Sequence, residues 1–302
     1  MKSKVIVILG PTASGKTALS IKLAKKFNGE VISADSRQVY KGMDIGTGKV
    51  TKEEMQGIKH YLLDVESPKK IFDVSKFKEL SEKALAKIYK KSKIPFVVGG
   101  TGFYINALID NTFIPEVKPD WVLRKKLQKK TTAQLFSLLK KMDPKRASSI
   151  DKNNPRRLIR ALEIVIKSKA PVPPSRATEP KFDALFLGVK RDGQELKDLI
   201  EKRLLKRIDE GMIDEIKKLH KTGVSWKRLE EFGLEYRFIA QYLQEKLSLE
   251  EMTKRLQKEI EHYAKRQMTW FKRDKRIRWV ENYKEAEGIV KGFLLTGKKK
   301  VI

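Results

Sequence analysis

The sequence predicts an α/β fold built on a mostly parallel, doubly wound sheet that carries a helical insertion. Three observations lead there. Gly10-Pro11-Thr12-Ala13-Ser14-Gly15-Lys16-Thr17 fits G-x-x-x-x-G-K-[ST] and lies between an apolar run at residues 5–9 and a pattern with Leu19, Leu23 and Phe27 at helical spacing. Short apolar runs alternate with helical patterns up to residue 110 and resume at residues 182–189, the order of a parallel sheet with crossover helices. At Asn111 the character changes: Pro115 and Pro119 break the pattern and helices follow without strands. Residues 111–181 are therefore read as the insertion, and residues 1–110 with 182–302 as the core.

A strand, a glycine-rich loop and a helix in succession bring backbone N–H groups and a helix N-terminus together, which is a cradle for phosphate. The core is thus P-loop NTPase-like, with Lys16 reaching a terminal phosphate and Thr17 a Mg2+ ion. The cradle alone does not say which phosphate compound it holds. Residues 30–35 read as the second strand. In such sheets the carboxyl ends of strands line the ligand crevice, so Asp35 would face the cradle. Asp-Ser equally suits a turn or helix cap.

Residues 41–49 form a glycine-punctuated loop, residues 60–65 a strand, and Phe77, Leu80, Ala84, Leu85 and Ile88 one helical face. The strand at 95–98 runs into Gly99-Gly100-Thr101. P-loop kinases commonly place an Asp after this strand to help hold Mg2+; here Gly99 stands there, which weakens a kinase reading, and Asp64 is an acid that could substitute.

In the insertion, helices are expected at 121–130 and 132–142. Asn154-Pro155 caps a third, with Leu158, Ala161, Leu162 and Val165 as its apolar stripe. Arg156, Arg157 and Arg160 lie off that stripe, either as an anion-binding face or as solvated surface with Arg160 paired to Glu163. A proline-rich connector follows at 170–175. Leu196, Leu199, Ile200 and Leu204 mark a helix ending near Gly211, with Arg203 beside the stripe, and 226–243 is a mixed stretch.

Ser248 and Glu251 form a capping box that opens the longest helix. Met252, Leu256, Ile260, Tyr263, Gln267 and Trp270 take one face; Lys258, His262, Lys265, Thr269 and Lys272 take the other. Arg266, Arg273 and Arg276 extend the basic side, and Lys298-Lys299-Lys300 forms a loose tail.

Lys and Arg number 67 against 38 Asp and Glu, a net charge of +29. That excess points to a polyanionic partner, nucleic acid above all. The absence of Cys removes disulfides, thiolate nucleophiles and Cys zinc sites. His60, His220 and His262 lack ligand spacing and read as packing or surface residues. Residues 5–9 are too few for a signal-peptide core, so a cytoplasmic protein is expected, with no membrane partner.

In order along nearly the whole chain, several segments resemble the tRNA dimethylallyltransferase family, whose members prenylate the adenosine 3′ of certain tRNA anticodons, at position 37. They are the loop from Gly10 to Thr17, Asp35-Ser36-Arg37-Gln38-Val39-Tyr40, Gly42-Met43-Asp44-Ile45-Gly46-Thr47, Gly99-Gly100-Thr101-Gly102-Phe103-Tyr104, Pro155-Arg156-Arg157-Leu158-Ile159-Arg160-Ala161-Leu162-Glu163, and Ala264-Lys265-Arg266-Gln267-Met268-Thr269-Trp270-Phe271.

The resemblance implies that dimethylallyl diphosphate lays its diphosphate on Gly10, Pro11, Thr12, Ala13, Ser14, Gly15, Lys16 and Thr17, with Mg2+ also on Thr17 and Arg203 reaching the same group. The prenyl chain would point toward a channel. It implies Asp35 as general base toward the adenine amine, Thr101 as a hydrogen-bond partner near the reacting nitrogen, and Lys16 on the departing diphosphate. Asp35, Ser36, Arg37, Gln38, Thr101, Arg124, Arg156, Arg157, Leu158, Ile159, Arg160, Lys265, Arg266 and Lys272 would meet the tRNA anticodon stem-loop, with the insertion closing over it as a clamp. A monomer is expected.

Residues 231–237 read Glu-Phe-Gly-Leu-Glu-Tyr-Arg where many relatives have a shorter Gly-Tyr-Arg form, and Leu199 stands where relatives often carry a second arginine. The Cys-based zinc finger of eukaryotic relatives is not found. Three other readings share the cradle: a prenyltransferase acting on free AMP or ADP, a small-molecule kinase, and an RNA-binding protein without chemistry. A free nucleotide needs no extended basic surface, which favours tRNA.

Overall fold

The computed structural model describes residues 2–173 and 179–296. It divides into two compact units, residues 1–111 with 179–302, and residues 112–178. Pro174 and Ser175 of the connector and the Lys298-Lys299-Lys300 run lie outside the described residues.

The larger unit holds one sheet of β1 (Ser3–Leu9), β2 (Gly29–Ser33), β3 (His60–Tyr61), β4 (Ile94–Gly99), β5 (Phe182–Val189) and β6 (Ile277–Val280). Its order is β3-β2-β4-β1-β5-β6, and every pairing is parallel. Both faces are covered, which explains the near-continuous apolar strands. Along β1, Val5, Val7 and Leu9 enter one core layer, while Ile6 and Ile8 enter the other.

The second layer is closed by α1 (Lys16–Lys26), through Leu23 and Ala24, and by the last helix, at Tyr283–Leu295, through Ala286 and Val290. Against the first layer pack α2 (Val74–Lys90), α3 (Gly102–Ile109) and the helices after β5: α8 (Gly193–Asp209), α9 (Met212–Lys221), α10 (Trp226–Phe232), α11 (Leu234–Leu243) and α12 (Leu249–Phe271). The insertion carries α4 (Trp121–Gln128), α5 (Thr132–Met142), α6 (Pro144–Ser149) and α7 (Pro155–Ser168) around its own small core. The last helix is α13.

Several expectations need correction. The strand expected at 60–65 stops after Tyr61, because Leu62 and Asp64 take left-handed φ of 64° and 56° and cannot extend a ladder. The mixed stretch at 226–243 is two helices, α10 and α11, separated by Gly233 at φ 77°. In α12, Ala264 and Phe271 are buried where Trp270 was expected; Trp270 is 37% exposed. Neither β6 nor α13 was anticipated. The Ser248/Glu251 capping box and the Asn154 cap with Pro155 are formed as read.

Candidate active site

The central strand β1 has β4 on one side and β5 on the other, so the loop after it opens at the point where connections leave in opposite directions. Gly15 adopts a left-handed φ of 88°, and α1 begins at Lys16 with its first N–H groups free of helical partners. Beside this loop lies a cavity of about 310 Å3. Thr12, Lys16 and Thr17 border it from the loop, Asp35 to Gln38 from the end of β2, Arg203 and Arg207 from α8, and Tyr263 and Gln267 from α12. Six cationic side chains against three carboxylates border it, which favours a multiply charged anion.

Burial and the neighbouring Arg203 lower the Lys16 ammonium to about pKa 8, against the opposing pull of Asp35. Arg203 is lowered to about 10, first by burial and then by Arg207. Glu235 is raised by burial despite Arg207, whose Nη1 lies 3.4 Å from its Oε1. Gly48 admits the two guanidiniums: a Cβ at its φ of 57° would overlap both Arg203 and Arg207. A second arginine therefore accompanies Arg203, at 207, one helical turn on, rather than at the position of Leu199. It was missed because Arg207 reads as an ordinary charged position on a surface helix.

Asp35 does both things its sequence allowed. Its Oδ1 accepts from the backbone of Arg37 (2.8 Å) and Gln38 (3.3 Å), capping the turn, while the residue borders the cavity together with Lys16. Thr101 does not border the cavity; its Oγ1 accepts from the Ser36 backbone at 3.2 Å, so it holds the segment that carries Asp35. Arg37 donates to the Phe232 carbonyl (2.9 Å), and Gln38 to that of Gly48 (3.2 Å), so both side chains are also committed internally. Of the loop, Gly10, Pro11, Ala13, Ser14 and Gly15 shape the turn without bordering the cavity.

Asp64 is excluded as the acid beside the cradle, since it pairs with Lys49 at 2.6 Å. Position 99 carries no acid because a Cβ there would overlap the backbone of Ala34. Among the described residues no group of three His, Cys, Asp or Glu gathers to hold a metal. Thr17 and Asp35 offer oxygens at the same cavity, a donor set suited to Mg2+ held mainly by phosphate oxygens and water.

Three features of the wall were not foreseen. Glu215 on α9 accepts from the backbone N–H groups of Asp44, Ile45 and Gly46 (2.7, 2.7 and 3.1 Å) and from the Tyr236 hydroxyl (2.8 Å), seating the 42–48 loop. His60, read as a packing residue, borders the cavity with its Nδ1 against the Ile58 carbonyl, and burial lowers its pKa. Residues 232–237, the segment that departs from relatives, form cavity wall. His220 stacks on Trp226 and His262 is exposed, as expected.

The basic surfaces are mixed. In the insertion Arg156 and Arg157 are exposed, but Arg124 and Arg160 bind the fully buried Glu163 at 2.7 and 2.5 Å, and Leu158 and Ile159 are core residues that cannot present side chains to a partner. Lys265 on α12 and Lys272 just after it are exposed, and Arg266 pairs with Glu259 at 2.8 Å. Arg276 is tied to Asp110 and Asp274, so it does not extend the free basic side.

The IPP transferase family model matches residues 38–274. This chain belongs to that family. The tRNA dimethylallyltransferase of Acetivibrio thermocellus is 43% identical, covering 95% of each chain. Among solved structures, the full-length tRNA isopentenylpyrophosphate transferase of Bacillus halodurans superposes with a TM-score of 0.74 at 37% identity, covering 97% of each chain. A eukaryotic dimethylallyltransferase acting on tRNA gives a TM-score of 0.85 at 28% identity, covering 97% of this chain and 79% of that one.

Proposed function

We propose that this chain transfers a dimethylallyl group from dimethylallyl diphosphate to the N6 amine of the adenosine 3′ of the anticodon, position 37, in tRNA. The observation that carries the reading is that Asp35 and Lys16 border one cavity, a carboxylate opposite a cationic phosphate loop. The base must leave its stack to reach such a site. The N6 lone pair attacks C1 of the prenyl group, the C1–O bond breaks with its electron pair going to diphosphate, and the N6 proton passes to Asp35. Oδ2 of Asp35, which takes neither backbone bond, is the oxygen for that proton.

Lys16, Arg203 and Arg207 meet the charge that grows on the diphosphate in a site sheltered from water, where such contacts act most strongly. Thr17 would hold Mg2+, which when bound would further neutralise the diphosphate oxygens. Thr101 fixes the Asp35 turn through Ser36. Exposed Arg156, Arg157, Lys265 and Lys272 are the cations for tRNA phosphates.

The test is incubation with labelled dimethylallyl diphosphate and either unmodified tRNA or AMP. Label is expected in tRNA at the adenosine next to the anticodon. Label in AMP alone would overturn the tRNA reading, and ATP turnover without a prenyl donor would favour a kinase.

A further inference from the structure

Gln267 is a buried amide in the apolar stripe of α12, 7% exposed, and it borders the cavity. Its Oε1 accepts from the backbone N–H of Thr12 in the phosphate loop at 2.9 Å, and its Nε2 donates to the carbonyl of Gly100 at 2.9 Å. One side chain thus joins the loop after β1 to the loop after β4. The amide accepts at one end and donates at the other without any change of protonation state. The fit leaves no slack, because a Cβ at Gly100 would overlap Nε2 of Gln267.

We propose that Gln267 is a positioning residue that sets the separation of these two loops, and through it the separation of prenyl donor and acceptor. This rests on the reading of the cavity given above. The loop after β1 carries Lys16 and Thr17; the loop after β4 carries Thr101, whose hydroxyl holds the Asp35 turn through Ser36. Losing the brace would let the two halves drift while leaving every catalytic group chemically unchanged. Displacement by about 1 Å can cost on the order of 100-fold in rate.

The experiment compares Gln267→Ala, Gln267→Glu, Gly100→Ala and the double variant Gly100→Ala/Gln267→Ala, in full-length protein. Two readouts are taken: steady-state kinetics with unmodified tRNA and dimethylallyl diphosphate, and calorimetric affinity for inorganic pyrophosphate. Gln267→Ala is expected to lower kcat by about 10- to 100-fold with KM for tRNA changed less than about threefold. Gly100→Ala should reproduce this by pushing the amide aside, and the double variant should be no worse than the poorer single one. Gln267→Glu keeps the acceptor for Thr12 but loses the donor for Gly100, so it serves as the fold-preserving variant if truncation unfolds the chain, and its kcat should also fall.

Unchanged kcat in Gln267→Glu, or a double variant whose loss is the product of the single losses, overturns the proposal. A fall in melting temperature with kcat per folded molecule intact would make the residue structural only and also overturns it. If the parent protein prenylates nothing, the functional reading fails, and the brace is judged on pyrophosphate. Weakening of at least about threefold in both single variants, without further loss in the double, then supports it; unchanged affinity refutes it.

Discussion

Asp35 spends its Oδ1 on two backbone N–H groups and borders the cavity from the turn those bonds hold. Replacing it with Ala should leave tRNA affinity near that of the parent while turnover drops by about 100-fold or more, the usual worth of a positioned base. Binding and single-turnover assays on the same preparation check both halves. Lys16 makes a prediction in pH. Its lowered pKa, about 8, means the ammonium begins to lose its proton just above neutrality. An incoming diphosphate favours the charged form, so above about pH 8 binding must take up a proton, and affinity for pyrophosphate should fall by up to about tenfold per pH unit on account of this residue. Calorimetry in buffers of different ionisation heat should detect the uptake near pH 9, and Lys16→Met should abolish it. Of the residues at the cavity, Lys16, Thr17 and Asp35 were readable because each sits in or beside a patterned stretch, whereas Arg203 was reached only through the family resemblance. Arg207, Glu215 and Gln267 were not. Their roles come from what stands opposite them in space, and the trace each left was a polar group on or beside an apolar stripe.

Among the elements, α12 serves two purposes along one length. Its buried face packs Met252, Leu256 and Ile260 and ends in the Gln267 brace, while Lys265 and Lys272 point to solvent. Lys265→Ala should weaken tRNA binding and lower the slope of log K against log salt by about one, with the alkylation step intact; a salt titration measures it. In the insertion, burial works to raise the Glu163 carboxyl, but Arg124, the Asp120 amide and Arg160 outweigh it and hold the pKa below its ordinary 4.5. A depressed carboxylate adds stability above its unfolded pKa, and this is lost as pH falls through the folded value. The insertion should therefore lose stability below about pH 4.5, and Glu163→Ala should destabilise it by about 2 kcal/mol at neutral pH, less than for a fully buried pair because both arginines keep some solvent. Amide exchange of α4 and α7 reads both. Caps and apolar spacing made α5, α7 and α12 legible beforehand. The short β6 was not, because Ile277 and Val280 are too few apolar residues to announce a strand without β5 beside them.

At the scale of the molecule, the parallel sheet puts the carboxyl ends of β1, β2 and β4 at one edge of the core, which is why the phosphate loop, Asp35 and Gly99, far apart in sequence, meet at one cavity. A net charge of +29 attracts polyanions over distances set by salt. No helix among the described residues is long and apolar enough to cross a membrane. The two-residue β3 has a further bearing. It is the outermost strand on its side, and the left-handed turns at Leu62 and Asp64 end its row of unpaired backbone groups almost as soon as it begins. A misfolded or newly made copy seeking to add a strand there finds too few rungs to grip, with Lys59, Lys87, Lys90 and Lys91 crowding the approach. A short, lysine-flanked edge of this kind offers little to edge-to-edge pairing.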